Sequence, residues 1–461
     1  MKKAIALIDG EHYPNVVREA LEEVSRQFDV KAAVFAGGTE KIDLAVIGDP
    51  ERNEYGIPVY FHDENAEEAF AQAIRDHAPE VIVDLSDEPV LGYWERFRYA
   101  SQALAAGIRY QGSDFTLSPP TFHKLSRKPS LSIIGTGKRI GKTAVSGYVS
   151  RIVGEALSGK GYREGVVVIA MGRGGPLEPE VIEGRDKSIG VAELLSYSRQ
   201  GKHAASDYFE DAVLSSVTTV GCRRCGGGLA GMPYVSNVEE GAAVAEELPA
   251  DLLIFEGSGA ALPPIDVNRA ICVVGADQPL DYILGYMGTY RLLISDAVLM
   301  TMCEEPLASP EKIRELIAGI EEIKPGIEVV PTVLRPKPDG NIMGKRVAYF
   351  TTAQGKVVER IAAYIGTEFG CSVNFVSSQL SDRVKLRADL ERLNVEETDV
   401  ILTEIKAAAI DVVTEEADRR GIDVVFCDNV PVEVGGSGRL EPLLERLAEE
   451  AIADFSGKEL G

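Results

Sequence analysis

The sequence has few cysteines, no long hydrophobic run and no excess of positive charge. Its 6 cysteines are scattered over 461 residues, whereas small secreted domains carry a dense disulfide framework. No apolar run approaches the roughly 18 residues that a membrane-spanning helix needs. The apolar stretch after Met1-Lys2-Lys3 ends at Asp9, which is too short for the hydrophobic part of a signal peptide. We therefore expect a cytoplasmic protein with reduced thiols and no membrane partner.

Acidic residues dominate the charge of the chain. There are 72 aspartates and glutamates against 48 lysines and arginines, which gives a formal net charge of −24. Binding to nucleic acid or to an anionic membrane surface depends on basic side chains, so this balance argues against both partners. Hydrophobic residues make up 45% and charged residues 26%, as in folded globular proteins. At about 100–200 residues per domain, the length predicts two to four domains.

Short apolar runs alternate with amphipathic stretches along the whole chain, which predicts an α/β fold with mostly parallel sheets. The segments Leu117–Thr121 and Gly340–Gly344 interrupt this pattern and indicate linkers. We therefore predict three α/β domains: residues 1–125 and 345–461 as smaller Rossmann-like domains, and residues 126–344 as a central domain. The predicted strands are Ala4–Ile8, Val30–Ala36, Val81–Leu85, Leu131–Ile134, Val166–Met171, Leu252–Phe255, Ala270–Val274, Ala297–Met302, Ile327–Leu334, Val347–Thr352, Val373–Val376, Val400–Thr403 and Val424–Cys427.

Polar loops follow three of the predicted strands in the first domain. They are Asp9–His12, Gly37–Lys41 and Ser86–Pro89. Because ligands bind at the carboxyl ends of strands in open α/β sheets, we expect these loops to meet at one site. His12 and Lys41 are the candidate substrate-binding residues there, and the acidic side chains could instead hold a cation. The alternative is a domain that serves only dimerisation.

A Gly-rich loop, Gly135-Thr136-Gly137-Lys138-Arg139-Ile140-Gly141-Lys142-Thr143, lies between a predicted strand and a predicted helix. A P-loop requires this context, because backbone N–H groups and the helix N-terminus surround phosphate oxygens. Lys142 is predicted to reach the β- and γ-phosphates of a nucleotide, and the Thr143 hydroxyl to bind Mg²⁺. The strict pattern has glycine where this chain has Thr136. The other predicted nucleotide-binding residues are Gly135, Thr136, Gly137, Gly141 and Ala144.

A carboxylate follows the strand Leu252–Phe255, in the sequence Glu256-Gly257-Ser258-Gly259. Mg²⁺ takes one or two protein carboxylates together with phosphate oxygens, so Glu256 is the candidate metal ligand. The alternative is that Glu256 only caps a structural turn. No Asn-Lys-x-Asp element that would recognise guanine is present, which favours ATP over GTP.

Basic residues in glycine-rich sequence stand out in the acidic central domain. Arg173 lies in Met171–Pro176, and Arg223-Arg224 lies in Gly221–Gly228, which its composition predicts to be a loop. Arginines beside glycines suit phosphate binding, although surface salt bridges are the alternative. We predict catalytic roles for Lys138, Arg139, Lys142, Arg173, Arg223 and Arg224, nucleotide binding by Arg335, and substrate binding by Arg223, Arg224 and His203.

Three further features leave more than one interpretation open. Cys222 and Cys225 have the spacing of half a zinc ribbon, but the sequence has no second pair of this kind, and a redox pair is a further alternative. We favour a loop whose chemistry belongs to the arginines. His203 precedes a predicted helix that Ser206 or Asp207 could cap. The segment Glu404–Ala409 at the end of a strand fits a structural and a functional role equally.

The P-loop form and the later Glu-Gly-x-Gly resemble dethiobiotin synthetase and its relatives over the middle of the chain. The whole chain is similar to the cyclic 2,3-diphosphoglycerate synthetase family. The stretches that carry this resemblance are Leu7–Tyr13, Gly37–Lys41, Asp84–Pro89, Ile134–Ser146, Met171–Pro176, His203–Asp207, Val220–Gly228, Glu256–Ala261, Thr301–Pro306, Arg335–Pro338 and Glu404–Asp411.

The resemblance implies a cytoplasmic, ATP- and Mg²⁺-dependent ligase, assisted by K⁺ and homodimeric. It would close an intramolecular phosphoanhydride in 2,3-diphosphoglycerate and release ADP and phosphate, and its central domain would be a P-loop NTPase. The substrate carries roughly four to five negative charges, which fits the cluster of arginines. Two alternatives remain: a nucleotide switch or metallochaperone GTPase, and a sensor that binds ATP and phosphorylated metabolites without catalysis.

Overall fold

The computed structural model describes residues 1–42, 44–47, 52–62, 65–185, 189–436 and 438–459. The chain divides into two compact units. The first unit combines Met1–Pro120 with Pro279–Ile294, and the second combines Thr121–Gln278 with Ser295–Gly461. Over the described residues, no helix has the length and apolar character needed to cross a membrane.

Strands and helices alternate along most of the chain, which confirms the predicted α/β fold with mostly parallel sheets. The strands of the described residues are β1 Lys3–Ile8, β2 Asp29–Phe35, β3 Val59–Tyr60, β4 Val81–Asp84, β5 Arg109–Gln111, β6 Thr116–Leu117, β7 Ser130–Gly135, β8 Val166–Gly172, β9 Glu180–Ile182, β10 Thr218–Cys225, β11 Val235–Ser236, β12 Leu252–Glu256, β13 Arg269–Gly275, β14 Ala297–Thr301, β15 Glu328–Pro338, β16 Arg346–Phe350, β17 Ser372–Ser377, β18 Val400–Thr403 and β19 Asp423–Glu433.

The helices follow the amphipathic stretches between these strands. Those of the described residues are α1 Pro14–Val24, α2 Leu44–Ile47, α3 Ala66–His77, α4 Tyr93–Ala105, α5 Lys142–Gly159, α6 Val191–Arg199, α7 Asp207–Leu214, α8 Val238–Glu246, α9 Leu280–Leu284, α10 Gly288–Leu293, α11 Pro310–Ile323, α12 Gly355–Phe369, α13 Arg383–Arg392, α14 Glu415–Arg420 and α15 Leu440–Glu459. A 3₁₀ turn spans Val395–Glu397, and a π-helical turn spans Ala409–Thr414.

The first unit is built on a six-stranded sheet with the order β3-β2-β1-β4-β5-β6. The strands pair in parallel except for β5 and β6. The apolar residues of β1 and β2, among them Ile8 and Phe35, are buried and pack against Leu21 of α1. The segment that contains α9 and α10 joins this unit through α4, where the rings of Phe97 and Tyr286 lie 5.8 Å apart.

The second unit is built on one large sheet with the order β11-β10-β8-β12-β7-β13-β14-β15-β19-β18-β16-β17. Two parallel halves meet at an antiparallel pair, β15 with β19. We call the strands from β7 to β15 the P-loop half, and the strands from β16 to β19 the carboxy-terminal half. The short strand β9 pairs with β10 beside this path.

The strand β15 sets the distance between the two halves. Its residues Glu328–Pro331 pair in parallel with β14, and residues Thr332–Pro338 pair in antiparallel register with β19. The strands of the two halves therefore run in opposite directions, and their carboxyl ends face each other along Thr332–Pro338. At about 3.3 Å per residue, this segment separates the two edges by roughly 20 Å.

Both halves share a hydrophobic core, because the last helix returns to the P-loop half. Leu444, Leu447 and Ala451 of α15 are buried in the same cluster as Leu131 of β7. Arg269 Nε at the start of β13 lies 3.1 Å from Glu450 Oε2. Burying a leucine side chain contributes about 1.5–3 kcal/mol, so this helix ties the end of the chain to the P-loop half.

The prediction of a loop over Gly221–Gly228 was wrong for Gly221–Cys225. Residues Thr218–Cys225 form β10, which pairs with β8 over Thr218–Arg223 and with β11 at Arg224 and Cys225. Glycines and arginines have little intrinsic preference for strands, but pairing on both sides of β10 overrides that preference. The glycines Gly226–Gly228 lie beyond the end of the strand.

Candidate active site

The P-loop connects the end of β7 to the start of α5, as the sequence predicts. Gly141 has φ 77°, and a Cβ atom there would lie 2.5 Å from Leu334 Cδ1 of β15, so the position requires glycine. The Thr301 hydroxyl donates to the Ile140 carbonyl at 2.7 Å and fixes the loop to the end of β14. The loop thus presents its backbone N–H groups and the N-terminus of α5 to an anion.

Thr136, the departure from the strict P-loop pattern, is accommodated by a neighbouring loop. Its side chain is buried, and its hydroxyl donates to Gln278 Oε1 at 2.6 Å. The same Gln278 oxygen accepts from the N–H of Gly275, the last residue of β13, at 3.3 Å. The hydroxyl of Thr136 therefore has a partner, and the substitution leaves the course of the loop intact.

Two carboxylates without hydrogen-bond partners lie beneath the P-loop. Glu256 ends β12, Asp211 belongs to α7, and each is 1% exposed. Lys142 Nζ lies 3.7 Å from Glu256 Oε1, too far for a hydrogen bond. Among the described residues, none donates to any of the four carboxylate oxygens of Glu256 and Asp211. Such buried acceptors are costly unless a cation satisfies them.

The electrostatics of this pair follow from burial and crowding. Burial raises the pKa of Glu256, and the Lys142 ammonium offsets part of that rise. Burial and the neighbouring Glu256 and Glu210 carboxylates raise the pKa of Asp211 well above its ordinary value. The described residues contain no group of three or more His, Cys, Asp or Glu side chains that could hold a metal. Mg²⁺ needs only one or two carboxylates with a hydroxyl and phosphate oxygens, and Glu256, Asp211 and Thr143 fit that need.

Two guanidinium groups meet at the loop after β12. The Arg224 Nη2 donates to the Ser258 carbonyl at 2.8 Å, and its Nη1 donates to the Gly226 carbonyl at 2.8 Å. A Cβ atom on Gly259 would lie 2.7 Å from Arg173 Nη2 and 3.8 Å from Arg224 Nη2. Burial, and then the charge of Arg173, lower the pKa of Arg224. Like charges held this close suit a polyanion.

Arg223 does not join this pair. Successive residues of a strand point to opposite faces, so Arg223 and Arg224 leave β10 on different sides. The Arg223 N–H donates to Asn237 Oδ1 at 2.7 Å, which fixes its backbone. Neither Arg223 nor Arg224 is among the described residues that line the cavity described next, but Arg224 donates to the Ser258 carbonyl in a loop that does line it. The two arginines that lie together are therefore Arg173 and Arg224, and not the adjacent Arg223 and Arg224.

A cavity of about 830 Å³ opens between the facing edges of the two half-sheets. Six of the predicted site residues line it from the P-loop half: Gly137, Lys138, Arg139, Gly141, Lys142 and Thr143. Arg173, His203 and Arg335 line it as well, and the ring of His203 lies beside Gly174. Gly135 ends β7, and Ala144 is buried in the first turn of α5, so both shape the loop from behind.

Arg335 is already engaged by protein groups on its side of the cavity. Its Nη1 and Nη2 donate to Glu304 Oε1 and Oε2 at 2.6 and 2.9 Å. Its guanidinium lies 5.6 Å from the ring centroid of Tyr364. The Glu304 carboxylate raises the pKa of Arg335. A guanidinium held in this way offers a flat face for stacking, which suits a nucleotide base better than a phosphate.

His12 and Lys41 belong to the first unit, where the three polar loops do meet. The buried Asp9 accepts from the Glu11 N–H at 3.0 Å and the Asp87 N–H at 2.6 Å, and lies 2.8 Å from His12 Nδ1. Lys41 is ion-paired with Glu40, and its N–H donates to the Gly10 carbonyl at 2.9 Å. The carboxylate oxygens of Asp9 accept from the loops Asp9–His12 and Ser86–Pro89, which indicates that Asp9 joins these loops structurally and is not a cation ligand.

Family profiles cover nearly the whole chain. The P-loop domain, the N-terminal domain and the C-terminal domain of cyclic 2,3-diphosphoglycerate synthetase match residues 130–333, 3–118 and 338–430. The protein of that name from Rubrobacter xylanophilus is 50% identical over 457 residues, 99% of each chain. The one from Methanothermus fervidus is 45% identical over 462 residues, 98% of each chain. The chain belongs to the cyclic 2,3-diphosphoglycerate synthetase family.

Membership of the family makes this chain an enzyme, a synthetase with a P-loop domain. Among solved structures, LpxK from Aquifex aeolicus in complex with ATP is 13% identical with a TM-score of 0.38. That match covers 71% of this chain and 90% of the LpxK chain.

The opposite wall of the cavity contains residues to which the sequence assigned no site role. Thr352, Gln354, Ser378, Lys406 and Asn429 line it from the carboxy-terminal half. They follow the ends of β16, β17 and β18 or lie within β19, far apart in sequence. Among these five residues, only Lys406 lay in a segment with a functional interpretation from the sequence, Glu404–Ala409, whose place at a strand end left a structural and a functional role equally open.

The two cysteines of β10 have separate environments. Cys222 is buried in an apolar cluster with Ile169, Val220 and Ala242, whereas Cys225 is exposed. Burial raises the pKa of Cys222 to about 12, which disfavours the thiolate that metal binding and redox chemistry need. The strand geometry therefore opposes both the zinc and the redox interpretation of this pair.

Proposed function

We propose that this chain closes the phosphoanhydride ring of cyclic 2,3-diphosphoglycerate at the expense of ATP. The observation that carries the proposal is the shared cavity. The P-loop and Arg173 line one wall of a space of about 830 Å³, large enough for a nucleotide beside a small polyanion. Arg224 lies beside Gly259 and the buried Glu256 beside Lys142, and both of these neighbours line that wall.

ATP would be bound by the P-loop, with its phosphates against the loop N–H groups and the N-terminus of α5. Lys142 would contact the β- and γ-phosphates, and Lys138 and Arg139, which are exposed toward the cavity, would neutralise the reacting phosphates. The stacked Arg335 and Tyr364 would border the base. The bisphosphate would lie against Arg173 and Arg224, with His203 at the edge of the same wall.

Thr143, Glu256 and Asp211 would hold Mg²⁺. When bound, the ion neutralises oxygens of the β- and γ-phosphates. The support for this assignment is the unsatisfied, buried carboxylate pair beside Thr143 and Lys142. The positive charge of the ion would also offset the repulsion between the Glu256 and Asp211 carboxylates.

The chemistry would take two steps. A phosphate oxygen of 2,3-diphosphoglycerate attacks the γ-phosphorus of ATP in line, the bond from that phosphorus to the bridging oxygen breaks, and ADP leaves. The second substrate phosphate then attacks the inner phosphorus of the new pyrophosphoryl group, and inorganic phosphate leaves as the ring closes. Phosphate dianions are nucleophiles already, so positioning and charge stabilisation suffice. The second step is intramolecular, where effective molarities reach about 10⁵–10⁸ M.

The proposal also includes the first unit, the assembly of the protein and its division into domains. His12 and Lys41 remain candidate substrate-binding residues of the first unit, which the convergence of their loops supports. The protein would act in the cytoplasm as a homodimer, and K⁺ would assist the reaction, as in the family that it resembles. The division into domains 1–125, 126–344 and 345–461 remains a prediction.

Phosphorus NMR of the purified protein with ATP, Mg²⁺ and 2,3-diphosphoglycerate tests the proposal. We expect the cyclic product, ADP and phosphate to form in equal amounts, and the variant Lys142→Ala to form none of them at a comparable rate. ATP binding without a cyclic product would favour a metabolite sensor. Preferential use of GTP would favour a nucleotide switch.

A further inference from the structure

A lysine reaches the cavity from the carboxy-terminal half. Lys406 follows the carboxyl end of β18, its side chain is 24% exposed, and it is among the residues that line the cavity. We propose that Lys406 binds a phosphate group of the bisphosphate substrate from the wall opposite the P-loop, with Glu210 and Glu404 as its positioning residues. The inference rests on the proposed function and extends it to a residue outside the P-loop half.

The backbone at Lys406 has an unusual conformation. The next residue, Ala407, also lines the cavity and has φ 50°, in the left-handed region that side chains with a Cβ atom disfavour. A π-helical turn, Ala409–Thr414, follows almost directly. Strained residues and π-turns concentrate at functional sites, because binding or catalysis needs a side chain that regular structure would not place there.

Glu404 fixes this segment without help from Lys406. Its Oε1 accepts from the Thr351 hydroxyl and from Asn429 Nδ2, both at 2.9 Å. Its Oε2 accepts from the Thr352 N–H at 2.9 Å and from the Thr352 hydroxyl at 2.7 Å. Four donors thus satisfy the Glu404 carboxylate and join the end of β18 to β16 and β19. A lysine is not required there to neutralise it.

The partner of Lys406 is incompletely satisfied. Lys406 Nζ lies 3.0 Å from Glu210 Oε1, and over the described residues Glu210 is its one ion-pair partner. Glu210 Oε2 is buried and has no hydrogen-bond partner among these residues. An ammonium has three donors, so two remain for an incoming anion. A purely structural buried pair would satisfy both partners, because an unpaired buried oxygen is costly.

The charges around Lys406 keep it cationic. Burial alone lowers the pKa of Lys406, but the nearby Glu210 and Glu404 carboxylates raise it above its ordinary value. Two arginines that also line the cavity, Arg335 of β15 and Arg360 of α12, both pair with Glu304. An anion that approaches the carboxy-terminal edge would therefore meet Lys406, whose ammonium has two donors besides the one directed at Glu210. In the proposed function the P-loop holds the phosphates of ATP at the opposite wall, so the bisphosphate is the anion that Lys406 would contact.

The variant Lys406→Met tests the assignment in the full-length protein. We expect the bisphosphate KM, and its Kd by calorimetry without nucleotide, to rise about 10- to 100-fold, the usual effect of losing a charge-assisted hydrogen bond. The Kd of ATP should stay within about twofold, since the P-loop is unchanged. Lys385→Met is the matched control, because Lys385 lies in the same half and pairs with Asp382 outside the cavity. It should change neither constant.

A double variant separates substrate binding from the effect of an orphaned carboxylate. Lys406→Met leaves Glu210 buried without a cation, and adding Glu210→Gln removes that cost and protects the fold. We expect the double variant to melt near the wild-type temperature and to keep the loss of bisphosphate affinity.

Recovery of wild-type bisphosphate affinity in the double variant would overturn the assignment, and so would a loss confined to ATP binding. If the wild type binds bisphosphate through Lys406 but makes no cyclic product, the assignment stands and the proposed function fails.

Discussion

The two walls of the cavity provide charged groups in different ways. The P-loop wall uses consecutive residues, Gly135 to Thr143, whose shape depends on one strand, one turn and one helix. The carboxy-terminal wall uses isolated residues such as Lys406 and Asn429, which follow or lie within different strands. Hydrogen bonds between strands, above all those to Glu404, give this wall its geometry. A motif can specify the first kind of wall, whereas only the fold assembles the second.

Both walls are held in place by contacts with the strand β15. Gly141 of the P-loop packs directly on Leu334 of β15, and the carboxy-terminal edge depends on the pairing of β15 with β19. One strand therefore sets the position of both walls. We expect the P-loop wall to govern turnover and nucleotide binding, and both walls to contribute to binding of the bisphosphate, through Arg173 and Arg224 on one side and Lys406 on the other.

The largest effect is expected at Lys142, the P-loop side chain that is proposed to contact the transferred phosphoryl group. Lys142→Ala removes a preorganised donor to the transferred phosphoryl group, so kcat should fall by about 10²–10³-fold. ADP release under saturating substrates measures it. Lys160→Ala at the other end of α5 is the control, because Lys160 pairs with Glu449 at the surface and should be neutral. Wild-type turnover in Lys142→Ala would end the P-loop assignment.

A second effect concerns the buried carboxylate pair. Asp211→Asn and Glu256→Gln should each raise the Mg²⁺ concentration needed for half-maximal activity by at least about 10–100-fold, since even indirect metal partners contribute that much. Without Mg²⁺, each variant should melt at a higher temperature than the wild type, because it relieves the repulsion between buried acids.

Activity titrated against Mg²⁺ and melting curves with and without the ion measure the two effects. Glu247→Gln, beyond the end of α8, is the control and should leave both unchanged. An unaltered Mg²⁺ dependence in both carboxylate variants would remove the ion from this place.

A third prediction separates the two adjacent arginines of β10. Arg224→Ala should raise the bisphosphate KM by about 10-fold, the lower range for a lost charged hydrogen bond. Arg223→Ala should stay within about threefold, because its side chain leaves the strand on the other face. Initial rates over a range of bisphosphate concentrations decide between them. Equal defects in the two variants would contradict the strand assignment of this segment.

The smallest effects are expected at the cysteines. Cys222→Ser places a hydroxyl in an apolar cluster and should lower the free energy of unfolding by about 1–3 kcal/mol. Cys225→Ser at the exposed end of β10 should change it by less than about 0.5 kcal/mol. Urea unfolding of both variants measures these values, and elemental analysis should find no stoichiometric zinc. A tightly bound zinc in the wild type, absent from Cys225→Ser, would reverse this reading.

The features that short stretches of sequence determine were predicted, whereas those that depend on contacts between distant segments were missed. The P-loop and Glu256 follow from short patterns at the ends of apolar strands, and the α/β fold follows from the alternation of such strands with amphipathic helices. Asp211 carries no such signal, because an acidic residue inside an amphipathic helix is ordinary until β12 is placed beside it. The strand β10 was missed because its glycines and arginines suggest a loop, and pairing with β8 decides otherwise.

The oxygen balance of the reaction tests the central claim most directly. If a bisphosphate oxygen attacks ATP and ring closure then expels the terminal phosphate, the released phosphate contains three γ-phosphate oxygens and one from the substrate. Turnover in ¹⁸O-water, followed by mass spectrometry of the phosphate, should show no solvent label. Substrate labelled with ¹⁸O in its phosphate groups should transfer one labelled oxygen to the released phosphate. Solvent label in the phosphate would mean that water attacks ATP and would contradict transfer to the bisphosphate.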